Sequence, residues 1–291
     1  MREVIQYPDG KSFLKDTLAF LEQEEARNAV LIGIAMANIQ VSEGHSVKPL
    51  FFTIKKKGEV VCCGVQTPPR NMIVYGTDAY AEEAAVVLCD HLSKHNYSLP
   101  GVGGPVLLAR CVAQHWANYG SLRSEVMMRS VIYQLDQVNN LDPPAGTFRK
   151  ASSADIPLVA GWITEFVKES LPGESLSVAD IFSMAAERIG QGEIFLWEDN
   201  GQPVSMAGSA RETKNGASVN YVYTPPVYRG KGYATGCVSG LSKVLLGRGK
   251  KFCALYADTN NPLSNKIYLK IGYRPIAEFE QIHFFPLANT R

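Results

Sequence analysis

The order of apolar and polar positions divides the first half of the chain into helices and strands. Residues 12–25 place their apolar side chains on one helical face, and residues 26–39 predict a second, more buried helix. Residues 50–69 predict two strands joined at a Lys57-Gly58 turn, and residues 71–76 predict a third strand. A helix over 78–96, a turn at 100–105 leading into another helix, and an alternating strand over 124–135 complete the half.

The second half predicts the order β-α-α-β-β-β-α-β-α-β. Its helices begin at Ser152 or Ser153, at Ser177, near Tyr233 and at Asn261, each a polar cap or a tight turn before an apolar pattern. Its strands fall at 147–152, on both sides of a turn at 199–201, and at 217–225, 250–258 and 277–285. Both halves therefore contain helices, a hairpin, a strand and a helix in the same order, which suggests degenerate copies of one fold.

A polar, proline-containing segment separates these halves. Residues 137–147 include Pro143, Pro144 and Gly146, which predicts a linker. We expect two domains, residues 1–140 and residues 147–291, each of mixed α/β structure.

Composition narrows the class of protein. The 291 residues are 46% hydrophobic and 20% charged, with a formal net charge of +1, which is typical of a globular protein with a real core. Nucleic-acid binders usually have a basic excess, so no nucleic-acid partner is expected. The first residues lack the apolar core of a secretory signal, and no run is long enough for a membrane span. We therefore expect a cytoplasmic protein without a membrane partner.

The cysteines and histidines give little sign of a metal site. The six cysteines show no CxxC spacing, and most are expected to be buried thiols. His91 and His95 stand one helical turn apart after Cys89, but no third ligand is identifiable, so the expectation is no metal.

One stretch in the second half has the chemistry of an anion site. The strand ending near Val222 is followed by Arg229-Gly230-Lys231-Gly232 and then by the apolar pattern of a helix. The first turn of a helix leaves backbone N–H groups without partners, and the helix dipole favours a negative charge there. Glycines let a phosphate approach the backbone, and the cations suit its oxygens.

Two familiar nucleotide motifs do not fit this stretch. Its glycines, Gly230, Gly232 and Gly236, have neither the spacing nor the position of a dinucleotide fingerprint, and no P-loop pattern is present. The sequence does contain [Q/R]-x-x-G-x-[G/A], followed later by Asn261 and, seven residues after it, by Tyr268 in "YLKIGY".

These two segments together resemble the GNAT superfamily, the acetyl-CoA-dependent N-acyltransferases, and residues 147–291 follow the family's element order. The glycine N-acyltransferase-like branch is the most similar. The resemblance implies a two-domain GNAT fold, with a first half that is a degenerate, tandem copy shaping the substrate cleft. It also implies an N-acetyltransferase that moves an acetyl group from acetyl-CoA, as co-substrate, to a small-molecule amine. A homodimer is left open.

The resemblance further implies roles for individual residues. Tyr268 would act as general acid to the leaving thiolate, and Asn261 would bind the pantetheine arm or orient the thioester. The remaining expected cofactor-binding residues would hold the pantetheine arm and the pyrophosphate, and they are Val222, Tyr223, Thr224, Arg229, Gly230, Lys231, Gly232, Tyr233, Ala234 and Thr235.

The sequence offers several candidates for the general base and does not select one. Some members of the family carry a glutamate on the strand before the phosphate loop, whereas residues 217–221 contain no carboxylate. The candidates are Glu212, Asp258, Glu280 and His283, and a neutral amine would need none of them. Two alternatives follow, namely a non-catalytic acyl-CoA-binding or regulatory module and an unrelated nucleotide binder.

Overall fold

The structure is a computed structural model, which describes residues 2–39, 48–170 and 176–287. The chain divides into two units, one of Met1–Ile132 with Ile276–Arg291 and one of Tyr133–Pro275. The sequence-based division into residues 1–140 and 147–291 differs in two respects, because residues 133–140 group with the second unit and residues 276–291 group with the first.

Both halves of the chain follow the same element order, β-α-α-β-β-β-α-β-α-β, which the sequence predicted for the second half. The first half contains β1 (Arg2–Tyr7), α1 (Gly10–Leu21), α2 (Glu25–Ala37), β2 (Leu50–Lys56), β3 (Glu59–Gln66), β4 (Met72–Gly76), α3 (Ala81–Lys94), β5 (Gly101–Pro105), α4 (Val106–Gly120) and β6 (Leu122–Leu135). The second half contains β7 (Thr147–Lys150), α5 (Ile156–Ser170), α6 (Val178–Gln191), β8 (Ile194–Asp199), β9 (Gln202–Ala210), β10 (Gly216–Tyr223), α7 (Tyr233–Gly247), β11 (Phe252–Asp258), α8 (Pro262–Ile271) and β12 (Arg274–Pro286). The predicted mixed α/β fold is confirmed.

The strands of each unit pair in the same way. In the first unit β1 to β4 are antiparallel neighbours in sequence order, β4 and β5 are parallel, and β12 pairs antiparallel with β5. In the second unit β7 to β10 are antiparallel neighbours, and β10 and β11 are parallel. Each parallel pair is joined by a helix, as a parallel connection requires.

Helices cover the sheet with apolar side chains. In the first unit one core cluster joins α1 and α2 to the sheet, through residues such as Phe13, Leu31 and Phe51. Another joins α3 and α4 to alternate strand positions, such as Phe52 and Val74. Successive strand residues point to opposite faces, so Phe51 and Phe52 serve different clusters. In the second unit α5 and α6 pack on β8 to β10.

Local signals explain most of the helix ends in the second unit. The side-chain oxygen of Ser177 accepts a hydrogen bond from the N–H of Asp180 at the start of α6, and Gly192 ends that helix with φ 73°. A capping box of Ser152 and Asp155 precedes α5. These caps satisfy backbone groups that the helix itself cannot.

The glycine-rich stretch at 100–105 is a strand, so the predicted turn is wrong. Gly101–Pro105 forms β5, between β4 and β12. A Cβ at Gly104 would lie 2.7 Å from Cγ2 of Val74, and one at Gly101 would lie 2.6 Å from the carbonyl oxygen of Ile282. The glycines therefore allow close packing of extended backbones and do not make a turn.

The segment between β6 and β7 is fixed to the second unit. Residues 137–146 contain no helix or strand, as the linker prediction implied. However, the N–H of Asn139 donates to the carbonyl oxygen of Ile271 at 2.8 Å, and Nε1 of Trp197 donates to the carbonyl oxygen of Ala145 at 2.9 Å. A flexible tether would not make these contacts.

All six cysteines are free and buried, which confirms the prediction of buried thiols. Burial raises the pKa of each thiol, to about 12 for Cys62, Cys89 and Cys253 and to about 11 for Cys111. A thiol with a raised pKa carries little thiolate at neutral pH. Separately, no helix in the described ranges has the length and apolar content needed to cross a bilayer.

Candidate active site

The second unit contains a cleft of about 400 Å³ between the end of β10, the loop into α7, and α8. All the predicted site residues except Lys231 line it. They come from three separate parts of the chain, and the fold brings them together around one cavity.

The end of β10 parts from its parallel neighbour. The pairing with β11 runs from Gly216 and Phe252 to Ser218 and Ala254. The pairing with β9 is irregular between Asn220 and Tyr223, and Tyr221 has φ +47°. A bulge of this kind bends a strand and interrupts its ladder. Val222, Tyr223 and Thr224 follow the paired segment and line the cleft.

The loop after β10 offers a set of backbone donors. Gly230 and Gly232 have φ +80° and +84°, a conformation that other residues rarely adopt. The N–H of Gly236 donates to the carbonyl oxygen of Gly232 at 3.0 Å and starts the helical ladder of α7. The N–H groups of Tyr233, Ala234 and Thr235 therefore precede the ladder, and all three residues line the cleft. This arrangement suits a phosphate.

Arg229 is held by groups of the protein itself. Its Nε donates to the carbonyl oxygen of Thr224 at 2.8 Å, and its Nη2 lies 2.7 and 3.0 Å from the two carboxylate oxygens of Glu169. Glu169 is the penultimate residue of α5, lines the cleft and also lies 3.5 Å from the hydroxyl of Tyr223. Sequence reasoning missed Glu169, because nothing local marks a glutamate whose partner lies 60 positions away.

Tyr268 lies at the inner wall of the cleft and is 7% exposed. The rings of Tyr133 and Tyr273 lie 6.0 and 5.9 Å away, centroid to centroid. Burial, with a smaller contribution from Tyr133, raises the pKa of the Tyr268 hydroxyl well above its usual value. The hydroxyl therefore keeps its proton at neutral pH and can act as a hydrogen-bond donor.

Asn261 is the cap of α8, and its side-chain oxygen accepts from the N–H of Ser264 at 3.1 Å. The cap uses the oxygen, so the side-chain NH₂ keeps its donors for a ligand. Asn261 also lines the cleft, so both sequence-based interpretations of this residue fit its position.

The four candidate bases lie elsewhere, and none is among the described lining residues. Glu212 pairs with Lys250, and Asp258 accepts from the N–H of Asn260. Glu280 and His283 belong to the first unit, where Arg110 lowers the pKa of the Glu280 carboxyl. Glu169 is the one carboxylate among the described lining residues.

His91 and His95, the two histidines one helical turn apart, lie in the first unit. The rings of His91 and His95 stand 4.3 Å apart, and Nδ1 of His95 lies 2.8 Å from the carbonyl oxygen of His91. Within the described ranges no three His, Cys, Asp or Glu side chains are grouped to hold a metal ion.

Comparison with known proteins gives a consistent result. Residues 162–273 match the model of the Acetyltransferase (GNAT) family, and no curated protein matches the chain. An acetyltransferase from the GNAT family of Colwellia psychrerythraea is similar, with a TM-score of 0.58 and 13% identity over 97% of this chain and 98% of its own.

Two further solved structures are similar over nearly the whole chain. A GCN5-related N-acetyltransferase from Sphaerobacter thermophilus has a TM-score of 0.60 and 14% identity, covering 96% of this chain and 94% of its own. A tandem GNAT protein from the clavulanic acid biosynthesis pathway has a TM-score of 0.58 and 11% identity, covering 97% of this chain and 98% of its own. Identities this low establish the fold alone. The family match lies entirely within the second unit, which contains the cleft.

Proposed function

With the GNAT superfamily supported by the matching segment 162–273, we propose that the chain is an N-acetyltransferase. It moves an acetyl group from acetyl-CoA to the amine of a small-molecule acceptor. The observation that carries the proposal is the single cleft that brings together the end of β10, the backbone donors before α7, and Asn261 with Tyr268 on α8.

Each wall of the cleft has a part in holding the donor. The N–H groups from Gly230 to Thr235 bind the pyrophosphate, where the dipole of α7 adds to their effect. The backbone of Val222, Tyr223 and Thr224, beyond the paired part of β10, pairs with the amides of the pantetheine arm. The NH₂ of Asn261 orients the thioester end.

The chemical step is a direct attack that needs no enzyme intermediate. The amine nitrogen bonds to the thioester carbonyl carbon, a backbone N–H near Val222 or Tyr223 stabilises the oxyanion, and the carbon–sulfur bond breaks. Tyr268 donates its proton to the departing thiolate. The nitrogen, cationic after the attack, releases a proton to solvent and becomes the amide, and solvent reprotonates Tyr268. Its raised pKa means that the hydroxyl carries its proton at neutral pH.

The amine attacks as a neutral base. Residues 217–221 hold no carboxylate, and Glu169, the one carboxylate among the described lining residues, is occupied by Arg229. Deprotonation of the amine thus takes place before binding, and turnover is expected to rise with pH through the pKa of the acceptor.

Binding of acetyl-CoA is the first test, measured by calorimetry on the full chain. Gly232→Glu should weaken binding at least ~10-fold, because it places a carboxylate among the phosphate donors. Gly249→Glu is a matched control, since Gly249 also has positive φ (+90°) but does not line the cleft. Equal binding by the wild type and Gly232→Glu would refute the assignment of residues 230–235, here called the phosphate cradle, to the pyrophosphate.

Turnover is the second test, measured as release of free coenzyme A thiol with a panel of small amines. Release that depends on the amine supports the acetyltransferase. Binding without release on any acceptor would instead favour the non-catalytic acyl-CoA-binding module, and displacement of the ligand by ATP but not by coenzyme A would favour a nucleotide binder.

A further inference from the structure

One face of α8 that lines the cleft has no part in the proposed chemistry. It carries Leu263, Lys266, Ile267 and Lys270, which follow the i, i+3, i+4, i+7 spacing of a single helical face. Leu263 is 70% exposed, and both lysines are exposed. This face offers an apolar side chain and two cations to a ligand in the cleft, which suits a ligand with an apolar and an anionic part.

The charges of the cleft leave these two lysines unneutralised. Its described lining has three cations, Arg229, Lys266 and Lys270, and one carboxylate, Glu169. The carboxylate is taken by Arg229 at 2.7 Å. Within the part of the chain that the structure describes, neither lysine forms a salt bridge of its own. The excess positive charge of the cleft therefore sits on α8.

The spacing of the lysines suits one phosphate group. Residues four apart on a helix have Cβ atoms roughly 5–6 Å from each other, so two long side chains from these positions can bracket a single phosphate. A phosphate monoester carries close to two negative charges at neutral pH, and lysine binds it as a point charge. The backbone donors before α7 already account for the pyrophosphate.

We propose that Lys266 and Lys270 bind the 3′-phosphate of coenzyme A while Leu263 contacts the adenine, so that α8 selects coenzyme A over 3′-dephospho-coenzyme A. This inference rests on the proposed function and adds a specificity-determining pair of residues to it. Both ligands share the pantetheine arm and the pyrophosphate, so they differ only at the phosphate that the lysines would contact.

Calorimetry with the two ligands tests the inference on the full chain. The wild type should bind coenzyme A about ten-fold more tightly than 3′-dephospho-coenzyme A, since a charge-assisted contact is lost. The Lys266→Gln/Lys270→Gln variant should bring this ratio close to one by weakening coenzyme A alone. Lys243→Gln/Lys251→Gln, which removes two exposed lysines of the same unit outside the cleft, should keep the wild-type ratio.

Leu263→Ser separates the adenine contact from the phosphate contact. It should weaken the binding of both ligands several-fold and leave the ratio of their affinities unchanged. The ratio should also fall as salt is raised, since exposed charges are screened. Equal affinity of the wild type for the two ligands, or a ratio that survives in Lys266→Gln/Lys270→Gln, would overturn this inference and leave the proposed function standing. Failure of both ligands to bind would overturn both.

Discussion

Tyr268 is placed by neighbours that are far from it in sequence. The motif around it predicted a tyrosine near the thioester, but the motif does not contain Tyr133, whose ring packs against it. Tyr133 is itself fixed by a hydrogen bond from its hydroxyl to Oδ1 of Asn265, 132 positions later, at 2.9 Å. The burial that raises the pKa of Tyr268 therefore comes from long-range packing, which local pattern does not encode.

Tyr268→Phe should lower kcat about a hundred-fold and leave the affinity for acetyl-CoA within about two-fold, because only the proton donor is removed. Tyr133→Phe is the control, since it keeps the ring against Tyr268 but does not line the cleft. Steady-state kinetics and calorimetry measure the two quantities. Because the pKa of the Tyr268 hydroxyl is raised, loss of its proton should not lower the turnover of the wild type at any pH below about 10. Unchanged kcat in Tyr268→Phe would remove this residue from catalysis.

At the scale of elements, sequence pattern predicted the helices and most strands, because caps and apolar periodicity are local signals. Ser177 and Asn261 cap their helices as expected. The sequence did not predict two strands of the first half, β1 and β5. β5 is glycine-rich for reasons of packing against Val74 and Ile282 that only the assembled sheet reveals, and β1 depends on pairing with β2, 44 to 54 positions later.

The contact of α5 with the phosphate loop was equally invisible in the sequence, and it changes the expected role of Arg229. The sequence suggested a cation for phosphate, whereas Arg229 bonds to Glu169 and to the carbonyl oxygen of Thr224. The planar guanidinium meets the two acceptors with two separate nitrogens, Nε and Nη2, in a fixed arrangement, whereas lysine has a single nitrogen on a flexible stem. Arg229 is therefore expected to position the end of β10 and the loop.

Arg229→Lys tests this positioning role, because it keeps the charge and removes the fork. We expect it to weaken acetyl-CoA binding several-fold, by the same factor as Glu169→Ala, with no further loss in the double variant. The effect on unfolding should stay below about 1 kcal/mol, because the ion pair is exposed. Wild-type affinity in Arg229→Lys would mean that charge alone matters, and that Arg229 meets the phosphates directly.

At the scale of the whole molecule, the two halves share an element order. They differ in the connection that holds the phosphate cradle in the second half, between β10 and α7. The connection from β4 to α3 has no glycine between residues 77 and 83, and Glu82 and Glu83 stand in the first turn of α3. Carboxylates there repel the phosphates that the equivalent turn of α7 attracts. The proposal of a degenerate first copy is consistent with this difference.

A titration of the full chain with acetyl-CoA should therefore give a stoichiometry close to one ligand per chain. Gly232→Glu should abolish most of the heat of acetyl-CoA binding, because the first unit is expected to offer no second binding site. A stoichiometry close to two, or a second binding phase that survives in Gly232→Glu, would show that the first unit also holds the ligand.

Sequence patterns predicted only part of the division of the chain into two units. The proline-containing segment at 137–147 predicted a boundary near the middle of the chain, whereas the first unit leaves off earlier, at Ile132. The pairing of β12 with β5 joins residues that are more than 170 positions apart, and no local signal specifies such a partner. Strand pairing over that distance depends on the complete sheet.

The buried cysteines also decide how this protein behaves toward thiol reagents. Aromatic disulfide dyes are attacked by thiolates, and the folded chain presents six thiols that are shielded and protonated. Colour formed in the presence of an amine then counts coenzyme A molecules, with little background from the enzyme. Colour formed without both acceptor and acetyl-CoA would report chains whose cysteines have become exposed, so the same dye can monitor the integrity of the sample.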